Sequence, residues 1–143
     1  MPGPQFMTPQ PVSSSRPSRR FTVDQANKAL PLVKRVVADI VRAHEEVCNF
    51  QAQLEIAAAK EQPGLQSNLQ QSLEHLQDYV DELTDIGCEL KDYRVGLIDF
   101  VGRHKGHDVY LCWKLGEERV AYFHELTTGF GGRIPVTMLE EDR

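Results

Sequence analysis

The chain has 143 residues and a formal net charge of −5 at pH 7, which fits one domain or one domain with a tail. Hydrophobic content of 41% beside 26% charged residues is ordinary for a soluble globular protein. The acidic balance argues against general nucleic-acid binding, which needs a basic face, and no apolar run approaches the roughly 20 residues that span a bilayer.

The N-terminus lacks the charged start and apolar core of a signal peptide. Cys48, Cys88 and Cys112 form no CxxC pair and no zinc-ligand spacing, so they read as reduced, buried thiols in a cytoplasmic protein. Residues 1–20 are rich in Pro, Ser and Gln and read as a disordered tail, with Arg16, Arg19 and Arg20 as a solvated basic cluster. A single α+β domain is expected over 21–143.

The first helix is predicted over about 22–60. Thr22 is placed to cap it, with Gln25 completing a capping box, Phe21 as a staple onto Ala26 and Asp24 in the first turn. Pro31 interrupts the pattern and should bend the helix. Ala26, Leu30, Val33, Val37, Ile40, His44, Val47, Gln51, Leu54 and Ala58 step by four and three, a heptad stripe with polar residues at two core positions. Gln62-Pro63-Gly64 reads as a turn. A second helix over 65–87 carries Leu69, Leu73, Leu76, Val80 and Leu83 and must run antiparallel to the first as a hairpin. Leu32, Val36, Val41, Phe50 and Ile56 flank the first stripe, more apolar surface than one partner helix covers. A homo-oligomer, a dimer first, is therefore expected.

Gly87 suits the end of the second helix. Beyond it the period shortens towards two. Strands are expected over 88–91, 97–101, 108–115 and 120–125, with a turn over 92–96, a loop over 102–106 and a turn over 116–119. Connections this short make an antiparallel meander, followed by a glycine-rich C-terminal segment. Val109, Leu111, Trp113 and Leu115 should share the core face. Tyr110, Cys112 and Lys114 should share the other.

Four motifs in order, FTVDQANKALPLV, ELKDYRVGLIDF, CWKLGEERVAYFHEL and TGFGGRIPV, span residues 21–136 with the helices between them. In these the chain resembles a bacterial and archaeal family known as domain of unknown function 2203. The resemblance implies a small cytoplasmic protein with no established activity, so no catalytic residue is carried over from it.

The densest chemistry lies near the C-terminus. Asp99 and His124 are expected to flank Lys114 on one sheet face, with Tyr110 nearby and Glu125 on the opposite face. An Asp–His pair can orient an imidazole as a general base or bind a divalent metal, the cofactor such a pair would take. Arg133 follows Gly129, Gly131 and Gly132, whose backbone amides could cradle an anion. The alternative is a network of ion pairs and hydrogen bonds that fixes the C-terminal segment. His104 and His107, in a glycine-bounded loop, lack a third ligand. No nucleophile–base pair, cofactor fingerprint or paired-carboxylate motif favours a reaction. Two function classes follow: a self-associating interaction or scaffold module, or a small-molecule, anion or metal-binding protein, even an enzyme, built around Asp99, Lys114, His124, Glu125 and Arg133.

Overall fold

A computed structural model describes residues 19–141. The expected tail lies, over 1–18, outside the described residues. Arg19 and Arg20 belong to the folded unit: Arg19 stacks on the Phe21 ring at 4.3 Å, and Arg20 grips Asp108 with two nitrogens at 2.8 and 3.1 Å.

Helix α1 (Val23–Ile56) and helix α2 (Gln62–Ile86) form the hairpin, joined through a 3₁₀ turn at Ala59–Glu61. The capping box is complete. Gln25 N–H donates to Thr22 Oγ1 at 3.0 Å, and Thr22 N–H donates to Gln25 Oε1 at 2.9 Å. Helix α1 continues through Pro31. The expected turn at Gln62-Pro63-Gly64 is instead the first turn of α2. Proline fits there because its missing N–H would have no partner within the helix. At the other end, Gly87 has φ +113° and closes α2 by donating to the carbonyls of Leu83 and Thr84.

The sheet has five antiparallel strands in chain order: β1 (Cys88–Asp92), β2 (Leu97–His104), β3 (His107–Lys114), β4 (Tyr122–Glu125) and β5 (Ile134–Pro135). Three departures from the sequence reading bear on register and on the C-terminal segment. The expected loop over 102–106 shrinks to Lys105 and Gly106, both at positive φ, so β2 and β3 run three residues and one residue further into the hairpin. Residues 120–121 lie outside β4, because Asn27 of α1 takes both backbone groups of Val120 with its side-chain amide. The third departure is β5, formed when the C-terminal segment folds back along β4.

Ile98, Phe100, Val109, Leu111, Trp113 and Phe123 pack with Ala26, Leu30, Val33, Val37, Ile40 and Val47 of α1 and Leu76, Val80 and Leu83 of α2 in one core. Phe21 joins it edge-on to Phe100, with ring centroids 4.9 Å apart. Val36 is buried, while Leu32 and Ile56 stay exposed. His44, expected in the helical core, is only half-buried and stacks on Tyr93 from the β1–β2 turn. Among the described residues, no helix is long and apolar enough to cross a membrane.

Candidate functional site

One sheet face is committed to the helices, so strand alternation sends Leu97, Asp99, Val101, Tyr110, Cys112, Lys114, Tyr122 and His124 to the other. Register decides which of these meet. Asp99 stands directly opposite Cys112, and His124 opposite Tyr110. Asp99 and His124 therefore flank Cys112 and Tyr110. The expected centre, Lys114, stands opposite Leu97 instead, two residues further along β3. The sequence reading erred because it left the hairpin turn, and with it the register, unfixed.

Asp99, Cys112 and His124 are buried at 2%, 0% and 3% exposure. A cysteine is commonly buried, but a carboxylate and an imidazole are rarely buried to this degree without a partner that compensates for lost hydration. The imidazole Nδ1 lies 2.8 Å from the Glu125 carbonyl oxygen, which can only accept, so Nδ1 carries a proton. Nε2 then points at Asp99 Oδ1 across 3.4 Å. That exceeds the roughly 2.7–3.2 Å of a well-formed N–H···O bond. Consistent with this, Oδ1 has no hydrogen bond of normal geometry. One candidate ligand atom from each of Asp99, Cys112 and His124 lies within 4.8 Å of the others.

Electrostatics narrow the chemistry. Burial, reinforced by the Asp99 charge and opposed by Arg133, pushes the Cys112 thiol up to about 12. A thiol held protonated is a poor nucleophile. Both imidazole nitrogens also face other groups, so no Cys–His nucleophile pair forms. For His124, burial disfavours the imidazolium, but the nearby Asp99 carboxylate and the hydrogen bond to the Glu125 carbonyl outweigh it and raise the pKa above its ordinary value.

Beside Asp99 and His124 lies a cavity of about 160 Å³, walled by Leu97, Leu126, Gly129 and Phe130 and by Lys91 and Tyr110. Lys91 pairs with Glu89 at 2.9 Å and lies 4.3 Å above the Tyr110 ring, whose hydroxyl donates to the same carboxylate at 3.0 Å. Lys91 and Cys112 were not among the site residues expected from sequence. Their signal was the alternation that puts Cys112 on the Asp99 face, once register is known.

The other candidates have their main partners outside the trio of Asp99, Cys112 and His124, although Arg133 also interacts with Cys112. Arg133 donates to Glu117 through two nitrogens, each at 2.7 Å, and lies 4.3 Å from the Tyr122 ring centroid and 4.4 Å from that of Phe130. The amides of Gly132 and Arg133 bond back to Gly129 and Phe130 within a 3₁₀ turn, so those two are not free to hold an anion. Glu125 pairs with His107 at 2.9 Å, away from His124. His104 packs on Phe123 and accepts a hydrogen bond from the Glu140 amide. The Lys114 ammonium lies 5.6 Å from the Phe130 ring.

The profile of a family described as an uncharacterized conserved protein (DUF2203) matches residues 19–136. No curated protein and no solved structure matches the chain.

Proposed function

We propose that this chain, which belongs to the DUF2203 family, is a divalent-metal-binding protein with Asp99, Cys112 and His124 as its ligands. One observation carries the reading: three ligating side chains, one from each of three adjacent strands, are almost wholly buried with their donor atoms within 4.8 Å of one another. The Asp99–His124 spacing supports it. Oxygen and nitrogen ligands about 2.0–2.2 Å from a tetrahedral zinc lie about 3.3–3.6 Å apart. The observed 3.4 Å falls in that range and is too long for a good direct hydrogen bond.

The imidazole is also oriented as a metal ligand requires. Its Nδ1–H is held by a backbone carbonyl, which leaves Nε2 as the donor. A bound cation would reverse the electrostatics at Cys112, because a coordinated thiol ionises. The set of one nitrogen, one sulfur and one oxygen favours zinc over magnesium or calcium. Lys91 opposes a cation here, but Glu89 pairs with its charge. A thiolate ligand also fits the reducing, cytoplasmic setting read from the sequence.

Self-association has less support. Leu32 and Ile56 are the large apolar side chains of α1 left exposed, and 24 helical residues put them about 36 Å apart. Between them only half-buried Val41, Phe50 and Leu54 offer further large apolar surface.

The test is metal uptake by protein purified without a metal-affinity tag. Zinc should bind one to one in competition with a chromophoric chelator. Cobalt should give a thiolate charge-transfer band. Asp99→Asn, Cys112→Ser and His124→Gln should each weaken binding by more than the roughly 10–100-fold typical of outer-shell changes. Wild-type protein that is folded yet takes up neither metal would refute the proposal.

A further inference from the structure

The cavity beside the three ligands is lined by two kinds of side chain. Asp99 and His124 form part of its wall, so a metal held by them and by Cys112 would keep its fourth tetrahedral position towards this space. Lys91 and Tyr110 bring polar groups to the lining, and Leu97, Leu126 and Phe130 bring apolar surface. The volume of about 160 Å³ is close to the roughly 150 Å³ of a protein cavity that accepts benzene.

Charge selects among ligands of that size. Lys91 lines the cavity with an ammonium that Glu89 holds at 2.9 Å and that keeps further N–H donors to offer. Lys114 and Arg133, the other cations near this face, do not line it, and Arg133 is held by Glu117. The amides of Gly132 and Arg133 are closed within their own turn. One ammonium and one metal position match a carboxylate, with one oxygen for each. A phosphate carries more charge and more acceptor oxygens than these groups serve.

We propose that this cavity binds a small monocarboxylic acid with an apolar body about the size of a benzene ring. The carboxylate sits between the metal and Lys91, and the body lies against Leu97, Leu126 and Phe130. This rests on the metal reading above. The geometry assigns a ligand class and no reaction.

The test uses the full chain loaded with cobalt, with benzoate as the probe and benzylamine and inorganic phosphate as controls. Benzoate should saturably change the visible cobalt bands at one equivalent, because it enters the coordination sphere. The two controls should leave the bands unaltered at the same concentrations. Lys91→Met should keep the thiolate band, which reports an intact site, and bind benzoate about tenfold more weakly, as loss of a charge-assisted contact predicts. A cobalt–thiolate band that benzoate does not perturb overturns the ligand proposal and leaves the metal reading standing. A response equal for benzoate and phosphate also overturns it. Absence of the cobalt–thiolate band from folded wild-type protein overturns both.

Discussion

Arg133 shows how one side chain can be taken up by architecture while its neighbours form a site. Its guanidinium meets both oxygens of Glu117, whose carbonyl accepts from the Trp113 indole at 3.0 Å and whose carboxylate accepts from the Lys114 amide at 2.9 Å. Glu117 thus ties the β3–β4 connection to the C-terminal segment. Arg133→Ala leaves that carboxylate without its cation and should destabilise by about 1–3 kcal/mol in urea denaturation. Metal uptake should persist, since Arg133 is not a proposed ligand. The pH dependence has a definite sign. Burial raises the Glu117 pKa, but the bonds from Arg133 and the Lys114 amide outweigh it and hold the value below the usual carboxylate range. A depressed folded-state pKa gives stability that is present above the unfolded value of about 4.3 and lost as pH falls through the folded value. The gap between wild type and Arg133→Ala should therefore be widest at neutral pH and shrink in acid. A gap constant from neutral pH down to about pH 3 would show that Arg133 acts through packing alone.

At the scale of elements, what the sequence made legible is what repeats. The four-and-three stripe identified both helices, and the capping box fixed the start of α1. Alternation assigned Trp113 to the core and Asp99 and His124 to the other face. What it left open was register, which depends on where a hairpin turns and not on any period. Gly102 read as a loop residue, yet it lies inside β2, where a side chain would strike Leu111. With the turn placed at Lys105–Gly106, Asp99 faces Cys112, and the third member of the cluster becomes visible. Pro63 misled for a related reason, since proline marks a turn and a helix start equally well. Gly102→Ala tests this account. An added Cβ would lie 2.9–3.1 Å from three side-chain carbons of Leu111, in a core that cannot readily yield. The expected cost is about 1–3 kcal/mol. Trimming Leu111 to Ala in the same chain should make the glycine change cheaper, because the two positions share one space. An unaltered urea midpoint for Gly102→Ala would show that the strand shifts to admit the methyl.

At the scale of the whole molecule, the helices seal one sheet face and leave the other to hold polar groups. Packing against α1 and α2 supplies the core, and Asp99, Cys112 and His124 lie outside that cluster. Those three come from β2, β3 and β4, and an ion shared among them would cross-link three of the five strands. Binding to the folded state alone adds stability by mass action, about 2.7 kcal/mol at a free metal concentration one hundred times Kd. For a domain of this length that corresponds to a rise in Tm of about 10 °C. Zinc should produce such a rise in wild-type protein, and a chelator should reverse it. Cys112→Ser, which keeps the shape of the side chain, should fold without metal and show little of the shift. Hydrogen exchange should slow together across β2, β3 and β4, because their opening would require the same ion to leave. A zinc-induced rise that survives in Cys112→Ser, Asp99→Asn and His124→Gln alike would place the ion elsewhere, with exposed His107 and Glu125 the next pair to replace. If zinc stabilises none of these proteins, the buried Asp99–His124 contact must be held by a proton on Nε2, and the cluster belongs to the architecture with Arg133.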